Sequence, residues 1–261
     1  MKRRLLASAL ALLLLALCAC QTAAPQGSQS PAPSQGEAQP TPAGPDLSEE
    51  PPLDAADLAR PVPDFLTQEQ QQLYRRACNF YVHLFGGNTA EVEYSEHLEP
   101  GTAIPDPGQR ESVTLEDYTY LISYGRYADY ELFDAVRRSL FTDSFWASRN
   151  ILTGELPLFT QHEGKLCYVD AARGSGYYRN EAFPDTFALV SQSEDEIVFT
   201  VTGYYLEIWP PQGTSSEEWD AYRQENYGYT LDFTLKLVNT PEGWRFDQFA
   251  ETTADEQAAP Q

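Results

Sequence analysis

The chain has 261 residues, enough for one generous domain or two small ones. Its 17 Lys and Arg against 39 Asp and Glu leave a formal charge of −22, which nucleic-acid phosphates repel, so that function class is excluded. Four cysteines and one methionine exclude a disulfide-dense scaffold and a methionine-lined groove.

Lys2, Arg3 and Arg4 precede an apolar run, Leu5 to Leu17. The run is shorter than the roughly 20 residues a permanent membrane-spanning helix needs, and has the length of a signal-peptide core. It ends in Leu17-Cys18-Ala19-Cys20. That tetrad resembles the lipobox of bacterial lipoproteins, which implies cleavage after residue 19 and lipidation of Cys20. The protein is then expected on the extracytoplasmic face of the bacterial cell membrane, anchored by lipid on Cys20. Two acyl chains hold far better than one, since each buried CH₂ contributes about 0.8 kcal/mol.

Residues 20–60 are dominated by Pro, Ala, Gln, Ser, Gly and acids, with few large apolar side chains. Such a segment buries too little surface to offset its ordering entropy and is expected to be a disordered tether. At ~5–6 Å × √n, roughly 40 residues reach ~35 Å. A head domain is expected over 61–252 and a frayed tail over 253–261.

In the head, Thr67-x-x-Gln70 is a capping-box pattern preceded by Leu66, and Leu73, Ala77, Phe80 and Leu84 follow at helical spacing up to Gly86-Gly87. The spacing predicts a helix over 67–85. A short strand is expected over 91–98 and a loop over 99–111, while 114–124 fits strand or helix. Asp129 and Thr142 are expected to cap a second helix through Leu140 and a short third one with Phe145 and Trp146. Past residue 155 the apolar period changes to alternation. Three hairpins are predicted: 156–162 with 166–171, 187–191 with 197–208, and 229–238 with 244–249. Helices first and strands afterwards predict an α+β head, with N-terminal helices packed on one antiparallel meander sheet.

Two resemblances arise from these stretches. The closing Leu235-Lys236-Leu237-Val238 through Glu242-Gly243-Trp244-Arg245-Phe246 is similar to the end of NTF2-like and cystatin-like domains. The head also resembles the IseA family of exported inhibitors of cell-wall D,L-endopeptidases. That resemblance rests on Leu66 to Tyr74, Phe85-Gly86-Gly87-Asn88-Thr89, Tyr127 to Phe133, Phe141 to Trp146 and Gly243 to Phe246. It implies a non-catalytic protein that binds the catalytic domain of NlpC/P60-type cysteine peptidases.

The residues themselves offer little chemistry. Cys78 lies on the first helix with His83 five residues on, well off its face. Cys167 lies mid-strand, so neither has the setting of a nucleophile. Two structural thiols or a Cys78–Cys167 disulfide are the open alternatives. His83, His97 and His162 lack zinc-site spacing, and no metal or cofactor is expected. Gly174-Ser175-Gly176 lacks the strand-to-helix context of a nucleophile elbow. The many tyrosines suit either a core with its rim or a protein interface.

The reading is an acidic, lipid-anchored binding module without enzymatic activity, inhibiting or modulating a peptidoglycan D,L-endopeptidase by blocking its cleft. A basic cell-wall hydrolase is the expected partner, since an acidic head associates faster with one. Candidate contacts are Glu194, Asp195 and Glu196 at a hairpin tip, Tyr177 and Tyr178 in the loop 172–183, and Trp209 and Trp219 in a loop over 209–221. The alternatives are an NTF2-like small-ligand-binding lipoprotein and a carboxylate-dependent cell-wall hydrolase.

Overall fold

Asp54 accepts a hydrogen bond from Asp57 N (2.9 Å) and opens a one-turn helix, α1, Ala55–Ala59. The computed structural model describes residues 46–86, 98–169, 178–206, 213–226 and 228–253. Cys20 and most of the expected tether lie outside them, as do nearly all of the strand expected over 91–98 and most of the tail. The expected tether boundary at residue 60 is corrected, because α1 and its lead-in belong to the fold. Leu47 packs on the main core, Glu50 pairs with Arg76 (2.6 Å), and Asp57 accepts from Asn79 (2.6 Å). The composition concealed this because polar contacts, more than apolar burial, hold the segment.

Thr67 Oγ1 accepts from Gln70 N (3.3 Å), and Gln70 Oε1 accepts from Thr67 N (2.9 Å). This reciprocal cap satisfies two orphan donors and starts α2, Gln68–Phe85. Leu73, Tyr74, Ala77, Cys78, Phe80, Tyr81, Leu84 and Phe85 of α2 are buried. They are too many for one stripe, so α2 is a central helix enclosed on several sides. It stops at Gly86, where a Cβ would stand 2.5 Å from the Val82 carbonyl oxygen.

Strands β1 (Ser112–Leu115) and β2 (Tyr118–Ile122) follow, which settles the ambiguity over 114–124 as a hairpin. Asp129 caps α3 (Tyr130–Leu140) and Thr142 caps α4 (Asp143–Arg149), as the sequence predicts. Strands β3 (Phe159–His162) and β4 (Lys165–Tyr168) form the next hairpin. These four strands make a separate sheet of order β1-β2-β4-β3, joined by Leu121 opposite Tyr168 and Ile122 opposite Cys167. The single meander expected from sequence is therefore corrected to two antiparallel sheets. The β3–β4 hairpin pairs with β2, through β4, instead of joining the later strands.

The second sheet contains β5 (Tyr178–Arg179), β6 (Thr186–Gln192), β7 (Glu196–Leu206), β8 (Tyr229–Thr240) and β9 (Gly243–Gln248). Its order is β5-β7-β8-β9, and β6 also pairs with β7, nearer the start of β7 than β5 does. Strand β7 alternates strictly: Ile197, Phe199, Val201 and Tyr205 are buried, with half-buried residues between them. Phe233, Leu235 and Leu237 of β8 and Phe246 of β9 bury the same face. Against it pack the aromatic side chains of the helices. Tyr74 of α2 meets Phe199 at 6.3 Å and Phe246 at 6.4 Å, and behind it Phe80 meets Phe133 at 5.6 Å and Phe133 meets Trp146 at 5.7 Å between ring centroids. Thr142 N donates to the Phe246 carbonyl (3.0 Å), which ties the start of α4 to β9. The fold class is α+β, with antiparallel sheets and few helices. Among the described residues no helix is long and apolar enough to cross a membrane.

Candidate functional site

The β6–β7 turn places Glu194 and Asp195 in solvent. Ser193 shapes it: Ser193 N donates to the Glu196 carbonyl (2.7 Å), and Ser193 Oγ accepts from Asp195 N (3.3 Å) and Glu196 N (3.0 Å). Strand β8 braces it from the side, since Asn239 N donates to the Asp195 carbonyl (2.9 Å). The backbone is thus fixed while two carboxylates project. Neither Glu194 nor Asp195 has an ion-pair partner among the described residues. Glu196 differs: Lys236 Nζ lies 3.1 Å from it and 3.3 Å from Asp247. The acidic tip is therefore Glu194 and Asp195, with Glu196 largely committed to its own sheet.

The remaining candidates are elsewhere. Tyr178 lies in β5 opposite Leu206, at the other end of β7 from Glu196. Ten residue steps of strand separate those ends, about 33 Å at ~3.3 Å per residue. Trp219 lies on α5, Ser216–Glu225, a helix where a loop was expected. Ser215 caps α5 through a box with Glu218, the same signal that marks α2. Buried Asn180, next to β5, donates to the carbonyls of Arg223 (2.9 Å) and Asn226 (2.8 Å) and so holds the C-terminal end of α5 near that far end of β7. On α5, Trp219 stacks on Tyr222 with planes 9° apart. Arg223 sits over the Trp219 ring. Tyr177 and Trp209 lie outside the described residues. The structure thus separates the acidic tip from β5 and α5, and the five described candidate contacts do not form one patch.

Both head cysteines are free thiols and fully buried. Cys78 belongs to the main core, whereas Cys167 joins Tyr120 and Ile122 in a separate apolar cluster. The disulfide alternative is thus set aside. Burial pushes the Cys78 thiol far up and the Cys167 thiol up as well, which opposes thiolate formation at both. Among the described residues no group of three or more His, Cys, Asp or Glu is arranged to hold a metal.

One charged cluster was missed by sequence reasoning. Arg179 pairs with Asp185 (2.5 Å), whose other oxygen accepts from Thr252 Oγ1 (3.0 Å), and Arg60 pairs with Glu251 (2.7 Å). Tyr205 donates to the Thr252 carbonyl. Burial raises the Asp185 carboxyl above its ordinary range, against the pull of Arg179. A raised carboxyl is one thing an acid catalyst needs, but each acid here is closed off by a charged partner. The cluster clasps the lead-in, β5, the start of β6 and residues 251–252. No single stretch of sequence signals it, because its members come from residues 60, 179, 185 and 251–252.

No family model matches the chain, and no curated protein matches it.

Proposed function

We propose that the head is an exported binding module that inhibits or modulates a peptidoglycan D,L-endopeptidase of the NlpC/P60 type by occluding its cleft. The observation that carries this reading is the acidic tip, a backbone-braced turn holding two unpaired carboxylates on a chain of charge −22. Such a projection suits a partner with a basic surface, where it speeds encounter and fixes register. The buried thiols with raised pKa values and the paired buried carboxylates support binding over catalysis. The resemblances noted above supply the class of partner, and lipid attachment at Cys20 supplies the place.

The test uses the chain from Gln21 onward, which retains every described residue. It is incubated with purified peptidoglycan and an NlpC/P60 endopeptidase domain while turbidity is followed. The expected outcome is dose-dependent protection of the wall, with direct association of the two proteins. Glu194→Gln with Asp195→Asn should slow association several-fold at low salt and flatten its salt dependence. Absence of both protection and binding ends the inhibitor reading, and clearing of the wall by the chain alone makes it a hydrolase.

A further inference from the structure

Strand β6 leads directly into the acidic tip, and one long side of it has no strand partner among the described residues. It pairs with β7 on one side, and no described strand lies on the other. Its sequence, Thr186-Phe187-Ala188-Leu189-Val190-Ser191-Gln192, contains no charge and no proline. Exposed edges are ordinarily blunted by lysine, proline or a covering segment, because their free N–H and C=O groups template a further strand. Here Leu189 is 43% exposed and Val190 63% exposed, next to each other on that edge strand. Phe187, nearer the start of the strand, is held by Tyr74 of α2 at 5.8 Å between rings. The strand is therefore anchored at one end and presents apolar side chains at the other.

The register shows how the edge is built. Thr186 to Leu189 pair regularly with Thr202 to Phe199, and the pairing resumes at Ser191 opposite Val198. Val190 has no partner on β7, which makes it a bulge that turns the strand and its side chain outward. Three and four residues beyond Ser191 come the unpaired carboxylates of Glu194 and Asp195. A second copy of this chain would bring a second acidic tip and a further charge of −22 to the same edge. Like charges disfavour that pairing, so the charge selects a basic occupant.

We propose that β6 is a docking edge, to which an extended segment of a basic protein partner adds as a strand. Its backbone pairs with β6, its apolar side chains cover Leu189 and Val190, and its Lys or Arg residues meet Glu194 and Asp195. Main-chain pairing then supplies affinity, while the apolar pair and the two acids supply specificity. The inference rests on the reading that the head binds a basic protein, and it names the mode of binding.

The test is hydrogen exchange read by mass spectrometry on the full chain in detergent. The probe is a ten-residue peptide of alternating Lys and Val, and its Glu–Val counterpart is the control. The expected result is slowed exchange confined to 186–195 with the basic peptide and none with the acidic one. Val190→Lys, a solvent-exposed substitution that leaves the fold's buried contacts intact, should abolish the slowing, and an unchanged melting temperature checks that the fold is kept. Failure of the basic peptide to protect 186–195, equal protection by both peptides, or indifference to Val190→Lys overturns the docking edge. An NlpC/P60 endopeptidase domain in the same assay separates the two readings. Protection by the peptide without binding of the endopeptidase keeps the edge and removes the endopeptidase. Binding of the endopeptidase with protection elsewhere removes the edge and keeps the endopeptidase.

Discussion

Glu116 and Asp117, at the β1–β2 turn, hold φ values of 49° and 69°, the left-handed region in which glycine and asparagine fit best. Two adjacent acids there combine backbone strain with like-charge crowding. Glu116→Asn with Asp117→Gly should stabilise the chain by ~1 kcal/mol, read as a higher denaturant midpoint at unchanged slope. Asp247 supplies a pH dependence. Burial alone would raise its carboxyl, but hydrogen bonds from Thr142 (2.8 Å), Ser144 (3.0 Å) and the nearby Lys236 outweigh it and hold it below the ordinary range. A lowered pKa stabilises the fold above the ordinary carboxylate pKa, and that contribution is lost as pH falls through the lowered value. Asp247→Ala should cost about 1–3 kcal/mol at pH 7, and the penalty should shrink toward pH 2 in urea melts. Asp185 runs the other way: its raised carboxyl favours the fold at acid pH, and that advantage disappears as pH rises through its folded value.

Among the elements, those with local signals were legible. Thr67 with Gln70, Asp129 and Thr142 each cap the helix expected of them. The Glu163-Gly164 turn and the turn from Thr240 to Gly243 each join the expected pair of strands. Helix α5 carried the same kind of cap at Ser215 and Glu218, but none of its side chains is buried, so no apolar stripe marked it. Helix α1 is a single turn, too short for any period to show. The division into two sheets was not legible, because it depends on β2 meeting β4 across 45 residues of chain, as at Ile122 and Cys167. The acidic tip could be read as a turn, whereas the edge beside it is a property of the assembled sheet. The lead-in before Pro61 makes a direct prediction. A chain starting at Pro61 loses Glu50 from Arg76, Asp57 from Asn79 and Arg60 from buried Glu251. Compared with a chain starting at Asp46, it should be less stable by about 2 kcal/mol or more in denaturant melts.

Over the whole molecule, two bodies of structure share one core but differ in depth. The five-stranded sheet and the helices enclose most of the buried side chains, while the outer face of the four-stranded sheet covers a small cluster around Tyr120, Ile122 and Cys167. Each body holds one thiol at no measurable exposure. The pair is therefore a built-in clock for opening events, since a buried thiol reacts with an alkylating reagent only while its surroundings are parted. Cys78, in the deep core, should label at the rate of global unfolding. Cys167 should label sooner, through partial release of the four-stranded sheet. Pulsed alkylation under native conditions, read peptide by peptide, compares the two rates, and equal rates would mean that both sheets open as one unit.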